Sequence, residues 1–113
     1  MNKSESQFIL ALSTIDSEKE GLKIARALVE SKLAACVNIV PKVRSVYEWE
    51  GKIAEEEEFL LIIKTTENQK EDLKEILAEL HPYEVPELIF LPITDGLPDY
   101  FDWILKNTGS SPK

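Results

Sequence analysis

Hydrophobic positions along this chain follow two rhythms. Apolar runs read as strands over residues 8–13, where Ser13 closes the run Phe8–Leu12, and over 59–63 and 88–93. Leu22, Ala25, Leu28 and Val29, with Ile24, recur instead at helical spacing, and so do Leu73, Ile76, Leu77 and Leu80. Ser17 followed by Glu20 is a capping-box signature that opens the first helix, and Thr66 with Gln69 repeats the spacing ahead of the second. The second helix stops at His81-Pro82, because a residue before proline disfavours helical backbone. Between the helices, residues 33–64 read as two long antiparallel strands joined by a turn at Glu50-Gly51-Lys52. A break or bulge is expected near Pro41-Lys42, since proline cannot donate to a ladder. After Asp95-Gly96 turns the chain, residues 99–106 can form a short last helix carrying Tyr100 and Trp103.

The two halves repeat each other. A shift of roughly 51 positions, a repeat-like period, sets Phe8 on Phe59, Leu10 on Leu61 and Thr14 on Thr65. Each half reads strand, helix, strand. Two such units joined by a hairpin predict an α+β, ferredoxin-like (split βαβ) antiparallel sandwich, with an extended central hairpin and a short C-terminal helix.

Two features of that fold call for a partner. Residues 34–49, fully extended, span roughly 50 Å at about 3.3 Å per residue, more than twice the reach of the other strands. The hairpin therefore overhangs its sheet and carries Val43, Val46, Tyr47 and Trp49 with it. The apolar strands also fail to alternate with polar residues, which predicts burial on both faces where two helices cover only one. Both features point to a homo-oligomer built sheet against sheet.

The totals narrow the field. With 113 residues the chain is read as one domain over 1–113, with polar tails at 1–7 and 108–113 expected to fray. Its net charge of −8 argues against nucleic acid and anionic membrane as partners. One cysteine, no leader pattern and no apolar run near the roughly 20 residues of a membrane span predict a cytoplasmic protein.

Few residues offer chemistry. Strand alternation puts Cys36 and Asn38 opposite Ala35, Val37 and Ile39, so Cys36 is either a small apolar filler on the interface side or a thiolate ligand. His81, the only histidine, either serves the carbonyls at a helix end or acts as an imidazole ligand, with Glu84 and Glu87 adding oxygen from the same loop. Such a set suits zinc or copper(II), and a neighbouring subunit can complete it. The acidic run at residues 55–58 reads as a solvated arm that repels stray pairing, or as a cation site. Enzymatic machinery is missing: there is no Gly-rich phosphate loop, no GxSxG, and no nucleophile paired with the one histidine.

Several segments, in order, resemble the CutA divalent-cation tolerance family: LVESKLAACVNIVP at 28–41, SVYEWEGK at 45–52, EFLLIIKTT at 58–66, HPYEVPE at 81–87 and DYFDWI at 99–104. The resemblance implies a tight homotrimer of ferredoxin-like subunits that binds divalent metal, copper foremost, and is not an enzyme. It implies metal positions at Cys36, His81, Glu84 and Glu87. Some relatives carry a further cysteine at the end of the first strand, where this chain has Ser13. The architecture also resembles the trimeric PII signalling proteins, which gives the alternative of a regulatory or scaffold module holding a small anion or a partner protein in its subunit clefts.

Overall fold

The computed structural model describes residues 7–109. The first apolar run forms strand β1 (Phe8–Ile15), and Ser17 starts helix α1 (Glu18–Glu30). Ser17 holds an extended backbone while its Oγ accepts the Glu20 N–H at 3.2 Å, the N-terminal cap the sequence predicts. Gly21 lets α1 lie close on the sheet, since a Cβ there would come within 3.3 Å of the Ile15 side chain. The long hairpin follows as β2 (Cys36–Trp49) and β3 (Lys52–Thr66). Helix α2 (Lys70–Leu80), strand β4 (Ile89–Pro92) and helix α3 (Pro98–Lys106) complete the chain.

The strands form one sheet in the order β2-β3-β1-β4, every neighbouring pair antiparallel. Helices α1 and α2 each cross over one intervening strand, and both pack on the same face. Ile24 and Leu28 of α1 meet Leu73 and Leu77 of α2 over Ala11, Ile15, Leu61 and Ile63 in one core. Each of these Leu and Ile side chains contributes roughly 1.5–3 kcal/mol on burial.

Although the strands are apolar throughout, their burial in the chain alternates. Ile9, Ala11, Ser13 and Ile15 are buried beneath the helices, while Leu10 and Leu12 are only half-buried on the opposite face. Val40, Ile89 and Leu91 on that second face are exposed. The C-terminal helix shields one end of it, where Phe101 stacks on Phe8 with ring centroids 4.3 Å apart.

The hairpin turns at Glu50 and Gly51, both at positive φ (52° and 81°), with Trp49 and Lys52 paired across the turn. This two-residue, left-handed geometry suits the twist of paired strands. Beyond the Ile15–Phe59 pair no third strand among the described residues accompanies the hairpin, so residues 43–49 and 52–58 form a two-stranded arm. The expected irregularity lies between Val40 and Val43, where Lys42 takes φ 64°. One extra residue sits in β2 there, because Val40 faces Leu60 while Val43 faces Glu58.

Two local expectations need correction. Thr66 does not cap α2. It stays extended as the last ladder residue, opposite Phe8, and its Oγ1 is buried without a hydrogen-bond partner. A 3-10 turn, Glu67–Gln69, intervenes before α2 begins at Lys70. The expected frayed tails fall mostly on residues 1–6 and 110–113, outside the described residues. Gln7 accepts the Glu67 N–H at 2.8 Å, Thr108 is buried, and the Gly109 N–H donates to the Lys32 carbonyl at 2.7 Å.

Candidate functional site: an acidic cleft under the hairpin arm

The loop after α2 turns back along the end of β1 and faces the hairpin arm. Between loop and arm lies a cleft of about 670 Å³. Five carboxylates line it, Asp16, Glu56, Glu58, Glu84 and Glu87, with no basic side chain among the lining residues. Tyr47, Trp49 and Tyr83 supply aromatic surface, with Val46 and Val85 beside them.

The β2 bulge decides which arm residues reach the cleft. Directly opposed residues of an antiparallel pair share a face. Val43, Ser45, Tyr47 and Trp49 therefore join Glu58, Glu56, Ala54 and Lys52 on one side, and Arg44, Val46 and Glu48 join Glu57, Glu55 and Ile53 on the other. Simple alternation from Val37 and Ile39 would have put Tyr47 and Trp49 on the helix-covered side. The acidic run is likewise divided: Glu56 and Glu58 border the cleft and Glu55 and Glu57 do not.

Glu58 is 3% exposed, and its Oε2 accepts the Tyr83 hydroxyl at 2.5 Å. A buried carboxylate is costly unless hydrogen-bonded, and this charge-assisted bond offsets part of that cost. Burial, then the bond to Glu58, pushes the Tyr83 phenol far above its ordinary value. Tyr47 is pushed up as well, first by its hydrogen bond to Glu56. At the base, the Thr14 hydroxyl donates to Glu87 at 3.3 Å.

His81 caps the C-terminal end of α2 and is 5% exposed. Its Nε2 lies 2.8 Å from the Thr14 carbonyl, and its Nδ1 accepts the Tyr83 N–H at 3.2 Å. A carbonyl oxygen only accepts, so Nε2 carries the proton and the ring is neutral with both nitrogens engaged. The Tyr83 ring packs edge-on against it at 4.5 Å. His81 thus ties the loop to β1, and coordination of a metal through either nitrogen requires breaking one of these bonds.

Of the four candidate ligands, the structure brings Glu84 and Glu87 to the cleft wall and leaves His81 and Cys36 off it. Cys36 is half-buried at the start of β2, opposite Lys64. Lys64 donates to Asn38 Oδ1 at 2.6 Å, and the Cys36 sulfur lies 3.9 Å from the same oxygen. Ser13 is on the other side of the sheet, fully buried, with its Oγ unpartnered. Among the described residues no three His, Cys, Asp or Glu side chains converge as a bound metal ion requires. The donors of one chain therefore do not fit a tightly held ion. Sequence reasoning missed Asp16, Glu56 and Glu58 as a set with Tyr83; a four-glutamate run ahead of an apolar strand was the only signal.

A four-stranded antiparallel sheet, two crossover helices on one face and an acidic cleft beneath an overhanging hairpin define a small α+β protein with surface suited to cations. The chain belongs to the family described as CutA1 divalent ion tolerance protein, whose profile matches residues 9–107. It is 50% identical to the divalent-cation tolerance protein CutA of Thermus thermophilus over 100 residues, 88% of this chain and 97% of that protein. Human protein CutA is 45% identical over 100 residues, and the chain spans only 56% of that relative's length. The crystal structure of CutA1 from Oryza sativa superposes with a TM-score of 0.90 at 42% identity, covering 95% of this chain and 98% of that one. The Thermus thermophilus structure gives 0.87 at 49% identity, covering 90% and 99%. The family is named for cation tolerance and not for a reaction. No described helix is long and apolar enough to cross a membrane. The Arabidopsis thaliana relative is named as chloroplastic, and one from Archaeoglobus fulgidus as periplasmic.

Proposed function

We propose that this protein serves divalent-cation tolerance in the cytoplasm as a homotrimer of ferredoxin-like subunits, meeting the cation with the carboxylates of the cleft. The observation that carries this reading is the cleft itself: five acids and no base, in a chain of the divalent ion tolerance family. Glu84 and Glu87 are the exposed contacts from the loop. His81 positions that loop, and Cys36 is a separate, weaker thiol contact. One subunit supplies too few convergent donors, so a neighbouring copy completes the shell. Association is supported by the bare arm, where Val46 is 63% and Ile53 71% exposed, and by the half-covered sheet face.

Copper(II) is the ion to test first, because it heads the affinity order for divalent first-row metals at nitrogen and oxygen donors. Calorimetric titration of wild type, Glu84→Gln with Glu87→Gln, and Cys36→Ala tests the reading. The double variant is expected to lose most of the affinity and Cys36→Ala little. Equal affinity in wild type and the double variant would remove the cleft from the metal site. The alternative of a small-anion module gains nothing from the structure, since five carboxylates repel an anion from this cleft.

A further inference from the structure

We propose that the cleft is a binding site for a linear aliphatic polyamine, a class of ligand distinct from a bare metal ion. The assignment goes beyond the tolerance role and stands on the cleft alone. At about 670 Å³ the cleft is the size of a small-molecule site, far larger than one ion needs. Its charge selects a cation. Its carboxylates, however, come from three separate places: the end of β1, the arm and the loop. A metal needs its donors within about 2.0–2.6 Å of one point, whereas a polyamine carries ammonium groups spaced by methylene segments and can answer acids distributed along a groove.

The walls match the rest of such a ligand. Tyr47, Trp49 and Tyr83 offer aromatic faces to ammonium groups and to the methylenes between them. The Tyr83 hydroxyl is committed to Glu58, so its ring is held while donating to an acid of the same cleft. No lining residue bears a positive charge that would compete for those acids.

Spermidine titrated calorimetrically into the full-length protein at 0.15 M salt tests the assignment. One saturable site per chain is expected. Trp49→Leu and, separately, Tyr47→Leu keep the charge but remove an aromatic face, and are each expected to weaken binding about tenfold. Glu56→Gln is expected to weaken it similarly, while Glu57→Gln, the same charge change on the opposite side of the arm, leaves it unchanged. Absence of saturation overturns the proposal. So does equal weakening by Glu56→Gln and Glu57→Gln with none from the aromatic variants, which marks general attraction to an acidic protein. Copper(II) titrated into the same variants separates this from the metal reading: the aromatic variants are expected to hold copper(II) as wild type does, and loss of copper(II) binding with spermidine binding intact overturns only the metal reading.

Discussion

The helix-covered half of the sheet and the hairpin arm use similar residues to opposite ends. Beneath α1 and α2, aliphatic side chains are enclosed by their own chain; Ile15, Leu61, Leu73 and Leu77 are essentially sealed from solvent. On the arm, Val46, Trp49 and Ile53 remain 63%, 45% and 71% exposed. A two-stranded ribbon is marginal by itself. One half is therefore specified by a single chain. The other carries the cleft wall and leaves its apolar side chains uncovered by the chain itself.

The largest test of that contrast places charge on the outer side of the arm. Ile53→Asp is expected to lower the solution mass about threefold by light scattering, while far-UV circular dichroism stays that of a folded subunit. An unchanged mass would mean that the arm holds no neighbour. In the core, Leu77→Ala is expected to cost roughly 2–5 kcal/mol by chemical denaturation, the usual range for such a truncation.

His81→Ala tests the joint between the two regions. It strands the part-buried Thr14 carbonyl and Tyr83 N–H, so a loss of about 1–3 kcal/mol in denaturant stability is expected. A stability equal to wild type would show that the loop is held by something else.

Tyr83 gives a smaller effect with a definite sign. The folded chain favours the protonated phenol, because its value is raised there. That contribution is complete below the unfolded value near 10 and is lost as pH climbs above it. Wild type should therefore destabilise more steeply than Tyr83→Phe above about pH 10, read from denaturation midpoints; parallel curves would show that the phenol is not held above its ordinary value in the folded chain. Smallest of all, Glu50→Asn relieves a non-glycine residue at φ 52° in the turn and is expected to stabilise by a few tenths of a kcal/mol, up to about 1.

The same division decides what the sequence makes legible. Helix α1, its Ser17 cap, the stop at His81, the turn at Gly51 and the irregularity near Pro41 all depend on local chemistry, and all can be read from the residues. The site depends on contacts across long separations. Glu58 and Tyr83 meet over 25 positions, and Thr14 and His81 over 67, with nothing nearby in sequence to announce them. The facing of Tyr47 and Trp49 is hidden for another reason: one additional residue in β2 reverses the alternation that would otherwise place them. His81 is the opposite case: a lone histidine in an acidic loop invites a metal, while within the chain both of its nitrogens are engaged, by Thr14 and Tyr83.

That reversal also sets a rule for how the ribbon can change in length. Adding one residue to each strand between the bulge and the tip would rotate everything beyond it by half a pleat, turning Trp49 away from the groove and Ile53 into it. Adding two to each would restore the facing and carry the tip outward by about 7 Å. Such a protein can lengthen its reach in even steps, and odd steps exchange its lining for its outer skin.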